Sequence, residues 1–172
     1  MQGMHRKERS KAMQSLNDLV KEYTLQLRKG QIQKAYKGII TFMSGLKAYL
    51  ERRHPEYTAS GLYFGYMDMT YFAFTPKKLK DKNLKIAIVY LHEQNRFDVW
   101  LAGGNRKVQD EYIEQIRHKD IGSYKLSKAN PGVDSIVEST IVEHPDFDNV
   151  EELMMILERN TIEFANSIIA IL

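Results

Sequence analysis

Residues 62–101 carry three apolar runs, closed by Gly103, Gly104 and Asn105, and that block limits the folds open to the chain. Positions 62–74 are aromatic or otherwise apolar almost throughout, 84–91 are nearly continuous and rich in Ile and Val, and 97–101 alternate. Short runs of β-branched and aromatic residues bounded by breakers read as strands. Pro76 stops the first run. Glu93, Gln94 and Asn95 supply a tight turn after the second, so 84–92 and 96–102 are expected as a hairpin. Phe97, Val99 and Leu101 then point to one face, and Arg96, Asp98 and Trp100 to the other. The 61–75 stretch, at 15 residues, exceeds a usual strand and is expected as one bent strand or two collinear ones, with Gly65 as a bulge or close-approach point.

Helical periods flank the block. Met13, Leu16, Val20, Tyr23 and Leu27 recur at spacings of three and four, which predicts a helix over 9–28. Past Gly30 a second stripe, Ile32, Tyr36, Ile39, Met43, Leu46 and Leu50, ends at Arg52, Arg53 and His54 ahead of Pro55, where basic residues suit the helix C-terminus. Val108, Tyr112, Ile113 and Ile116 predict a third helix capped by Asn105. Residues 77–85 read as a lysine-rich connection, 121–132 as a loop, and 135–142 as a fourth strand. A last helix, capped by Asp148 or Asn149, carries Val150, Leu153, Leu157, Phe164, Ile168 and Ile171. The expected fold is α+β: a mixed, mainly antiparallel sheet of about four strands, packed by an N-terminal helix pair and a C-terminal helix. A single domain over 1–172 is expected, with 1–8 a frayed basic terminus.

The chain has 172 residues and no cysteine, which removes disulfides, thiolate metal sites and cysteine nucleophiles and suits a reducing, cytoplasmic setting. No stretch approaches the roughly 20 apolar residues of a membrane span. With 25 basic and 22 acidic residues the net charge is +3, short of a dedicated nucleic-acid binder. The basic clusters at 6–11 and 77–85 are interrupted by Glu8 and Asp81 and read as solvated segments.

Two places invite a site. Gly103, Gly104, Asn105, Arg106 and Lys107 would put two glycines and the first turn of a helix after a strand, where free amides and two cations suit a phosphate or carboxylate. The G-x-G-x-x-G and P-loop spacings are both missing, so a tight turn explains the glycines equally well. Asp68, flanked by Tyr66, Met67, Met69 and Tyr71, needs a partner if its face is buried and is a polar anchor if it lines a cleft. His92, Glu93, Arg96 and Asp98 crowd the hairpin turn, as turn residues usually do. The five histidines show no ligand spacing, so neither a metal nor a cofactor is expected.

The order helix, three-stranded meander, helix, strand is similar to the core of restriction-endonuclease-like nucleases. That family has an acid on its second core strand and Asp/Glu-x-Lys on its third. Here residues 85–90 hold no acid and the third strand offers Asp98-Val99-Trp100, so element order alone supports the likeness. Residues 61–68 (GLYFGYMD) and 97–105 (FDVWLAGGN), with the overall length, resemble a family of small uncharacterised bacterial proteins, a domain of unknown function that covers nearly the whole chain. That resemblance implies a bacterial, soluble, single-domain protein and no particular activity.

The expected function is a non-catalytic module binding a small anionic ligand or a protein partner in a cleft lined by Asp68, Tyr66, Trp100 and the turn from Gly103 to Lys107. One alternative is a divalent-metal-dependent hydrolase or nuclease-like enzyme using Asp68, Asp98 and Glu93. Another is a homodimeric interaction subunit whose heptad-like helices pair between chains.

Overall fold

The computed structural model describes residues 13–172, and the expected frayed terminus and the 6–11 basic cluster lie outside them. The chain divides into two compact units, Met1–Gly38 and Ile39–Leu172. In the first unit, α1 (Leu16–Arg28) starts at Ser15, whose hydroxyl accepts from the Asp18 amide at 3.2 Å. Positions 13–15, expected as helix, precede it, and 9–12 are not among the described residues. α2 (Gln31–Arg53) begins in this unit and continues into the second.

The second unit holds β1 (Tyr57–Ala59), β2 (Met69–Pro76), α3 (Lys77–Lys80), β3 (Leu84–Leu91), β4 (Arg96–Gly103), α4 (Arg106–Ile116), β5 (Lys125–Leu126), β6 (Ser135–Glu143) and α5 (Val150–Ile171). The expected four-stranded mixed sheet is corrected to six strands in the order β1-β2-β3-β4-β6-β5, with every pairing antiparallel. The two extra strands are three and two residues long, too short for any period to mark them. Residues 77–80, expected as part of a connection, form a single helical turn.

The hairpin forms as expected, with Ile86 opposite Leu101, Ile88 opposite Val99 and Tyr90 opposite Phe97. These residues, with Phe72 and Phe74 of β2, lie on one face and are buried. One cluster joins Phe72, Phe74, Ile88, Tyr90 and Phe97 to Met43, Leu46 and Leu50 of α2 and to Leu153 and Leu157 of α5. A second gathers Ile86, Val99, Leu101 and Ile136 against Ile113 and Ile116 of α4 and Phe164 and Ile168 of α5. Burial of whole aliphatic and aromatic side chains at roughly 1.5–3 kcal/mol each makes this face the main source of stability.

The expected long strand over 61–75 is corrected as well: it is regular only from Met69, and residues 60–68 fold along its edge. Ser60 and Tyr63 pair with Ala73 and Tyr71 through backbone bonds of 2.8–3.0 Å. Beyond Tyr63 the backbone turns sharply, with Gly65 at φ +75° and Met67 at φ +63°. A Cβ at residue 65 would sit 2.0 Å from the Met69 carbonyl oxygen, so only glycine fits. Apolar content without period in this stretch therefore marks a loop that leaves Phe64, Tyr66 and Met67 exposed.

Candidate functional site

The sheet face away from the helices carries the residues of opposite parity. Across it run Ala73, Ala87, Trp100 and Glu138 as neighbours on β2, β3, β4 and β6, and Lys85 stands opposite Ala102 in the next row. Alanine at 73, 87 and 102 leaves a depression where larger side chains would fill the surface. Tyr63 and Tyr71, with ring centres 4.8 Å apart, wall one side and Trp100 the other. The resulting cleft has a volume of about 470 Å³, within the usual range for small-molecule sites.

The turn from Gly103 to Arg106 closes one end. A Cβ at residue 103 would lie 2.7 Å from the Gln109 amide nitrogen, and one at residue 104 would lie 2.0 Å from Asn83 Oδ1. Both glycines thus permit close approach of α4 and of the turn before β3, which is the tight-turn explanation rather than a phosphate cradle. Asn105 caps α4 as expected, with its Oδ1 3.0 Å from the Val108 amide. The Arg106 guanidinium is turned to the 130–134 segment: it donates to the Val133 carbonyl, reaches Gln109 Oε1 at 2.9 Å, and lies 3.5 Å from Asp134 Oδ1. Lys107 is exposed and lies 4.0 Å from Glu111.

Of the eight residues expected to form the cleft, Trp100, Gly103, Gly104, Asn105 and Arg106 come together, while Asp68, Tyr66 and Lys107 do not. Asp68 and Tyr66 line a separate shallow surface beside Leu91 and Glu93. The Asp68 carboxylate accepts from the Tyr66 amide at 2.9 Å, and its carbonyl accepts from the His92 amide at 3.0 Å. Amide hydrogen bonds from Tyr66 and then Met69 hold its pKa below the usual aspartate value. Asp68 is a loop-closing carboxylate satisfied locally.

Beside Asp68, the Thr70 hydroxyl and the His92 ring have a defined proton arrangement. Thr70 Oγ1 donates its one proton to the Phe64 carbonyl at 2.8 Å and lies 2.8 Å from His92 Nε2, so His92 must donate there. Burial pushes the His92 pKa down, against a smaller upward pull from Asp68.

Asp98 is the buried carboxylate of the open face. Its Oδ1 accepts from Thr140 Oγ1 at 3.0 Å, and its Oδ2 lies 3.3 Å from Arg96 Nη2 and 3.4 Å from Trp100 Nε1. Arg96 Nε stands 3.0 Å from Oδ1, but its N–H is not aimed at that oxygen and makes no hydrogen bond. Among the described residues no three His, Asp or Glu side chains gather where a metal ion could sit, so Asp68, Asp98 and Glu93 do not converge on one ion.

A family model described as a domain of unknown function (DUF7000) matches residues 16–172. The chain belongs to that family. The DUF7000 match begins at the first residue of α1 and spans every element described above. No curated protein and no solved structure matches the chain. Among the described residues of this DUF7000 protein no helix is long and apolar enough to cross a membrane.

One polar constellation of the DUF7000 chain leaves little local trace in its sequence. Glu158 of α5 accepts from Tyr49 Oη, Arg53 Nε and His54 Nε2, each at 2.7 Å, beside a groove of about 900 Å³ along α5. Partial burial pushes the Glu158 pKa up, but hydrogen bonds from Arg53, Tyr49 and His54 outweigh it and bring the net value down. Its partners lie more than 100 residues away in sequence. The only local signal is Tyr49, Arg53 and His54 crowding one end of α2. With every polar group engaged by another, the cluster clips α2 to α5.

Proposed function

We propose that the protein is a non-catalytic binding module that takes a small, flat, anionic ligand in the open-face cleft. Lys85 carries this reading. It stands at the cleft beside alanines and aromatic rings, and among the described residues no carboxylate or other group pairs with it. An unpaired ammonium next to Trp100 and Tyr71 suits a ligand with one planar apolar part and one carboxylate or phosphate.

The same cleft is poorly equipped for proton transfer. Among the residues lining it, Asp134 is exposed and committed to Arg106, and there is no histidine. Burial, first, and then the charges of Tyr63 and Asp134 raise the pKa of Tyr71, so its phenol stays a neutral donor. Thermal-shift titration with phenyl phosphate, indole-3-acetate, benzoate and inorganic phosphate is the test. The aromatic anions are expected to raise the melting temperature more than inorganic phosphate does, and no rise with any of the four counts against the reading.

A further inference from the structure

Helix α1 has an apolar stripe, and none of its residues is buried. Leu16, Val20 and Tyr23 are 75%, 48% and 59% exposed. A helix of 13 residues, about 20 Å long, is marginal in water on propensity alone and depends on packing of such a stripe. We infer that α1 pairs antiparallel with α1 of a second copy of this chain.

The stripe is self-complementary. Leu16, Val20, Tyr23 and Leu27 follow the four-three-four spacing of a coiled-coil seam. About a two-fold axis passing between Lys21 and Glu22, Leu16 meets the second copy's Leu27 and Val20 meets its Tyr23, so the smallest seam residue faces the largest. Asp18 lies in the first turn and Arg28 in the last. Antiparallel pairing brings the acidic end of each copy toward the basic end of the other and opposes the helix dipoles, whereas parallel pairing sets like on like. Asn17, Leu19, Thr24 and Gln26, which flank the seam, carry no charge to repel. The outer side mixes Asp18, Lys21, Glu22 and Arg28 around an exposed Leu25, unlike the Lys/Arg-rich face of a helix that lies on lipid. A seam of this length falls at the small end of specific interfaces, so the dimer is weak and exchanges.

Sedimentation of the full chain between about 5 and 500 µM is expected to show a rise from monomer toward dimer, and Val20→Asp to stay monomeric with an unchanged melting temperature. The chain has no cysteine, so register can be read directly. Leu16→Cys and Leu27→Cys chains, mixed and oxidised, are expected to form the mixed disulfide in excess of either self-linked product. A wild-type monomer at the highest concentration overturns the inference. So do a dimer that survives Val20→Asp, preferred self-linking of Leu16→Cys, and binding of the wild type but not Val20→Asp to phosphatidylserine vesicles.

Discussion

Trp100 stands directly opposite Ala87 across the β3–β4 ladder, so an indole rises beside a one-carbon side chain on the open face of the sheet. With Ala73 on the far side of Ala87, this pairing creates the hollow that the proposed ligand enters. Ala87→Leu is expected to fill it and weaken binding of phenyl phosphate by tenfold or more, measured by calorimetry. The melting temperature should move by only a few degrees, because the added atoms point away from the helix-covered core.

The loop at residues 60–68 is held by geometry that only glycine satisfies at position 65. Gly65→Ala forces a Cβ against the Met69 carbonyl in a left-handed backbone conformation. It is expected to destabilise the protein by roughly 1–3 kcal/mol in urea unfolding, with the added hydrogen exchange concentrated in this loop. A loss below about 0.5 kcal/mol contradicts that account.

Much of the fold was legible in the residues, and what escaped did so for physical reasons. The strict alternation of Phe97, Val99 and Leu101 against Asp98 and Trp100 records a sheet with one packed face, and it placed the hairpin correctly. Asn105 announced its helix because a side-chain cap is a local interaction. Phe64, Tyr66 and Met67 misled because apolar residues do not declare whether they are buried, and the turn they occupy is fixed by Gly65 and by the Asp68 and Thr70 hydrogen bonds. The cleft was half legible: Trp100 and the Gly103–Arg106 turn were visible, while Tyr63, Tyr71, Lys85 and the alanines are joined to them only by strand register. Glu158 and His54, 104 positions apart, meet only once α2 and α5 pack.

That meeting makes stability sensitive to acid. The folded pKa of Glu158 lies below its ordinary value, so its contribution is complete above the usual glutamate range, near 4.3, and is lost as pH falls through the folded value. Glu158→Gln is expected to lower stability by roughly 1–3 kcal/mol at pH 7, and that loss to shrink as pH is lowered through and beyond the ordinary glutamate range, measured by chemical denaturation down to the acid unfolding limit. A negligible loss at pH 7 contradicts the clip between α2 and α5.

His92 acts in the same direction at a higher pH. Its folded pKa is depressed, so the unfolded chain takes up the proton first, and stability declines as pH falls below the ordinary histidine value near 6.5. Nitrogen-detected NMR is expected to show the Nε2-protonated tautomer at pH 7.5, as the Thr70 hydrogen bond requires. Thr70→Val is expected to lower stability by roughly 1–2 kcal/mol in urea unfolding, because it leaves the Phe64 carbonyl and His92 without the hydroxyl.

Trp100 is the only tryptophan in the chain, so its fluorescence reports directly on the proposed cleft. Titration with phenyl phosphate is the most direct test of ligand binding there. The account predicts saturable quenching in the wild type, about tenfold weaker binding in Lys85→Ala, and unchanged binding in Asp68→Asn, whose carboxylate serves the loop. Quenching that is absent, or that is lost in Asp68→Asn but retained in Lys85→Ala, contradicts it.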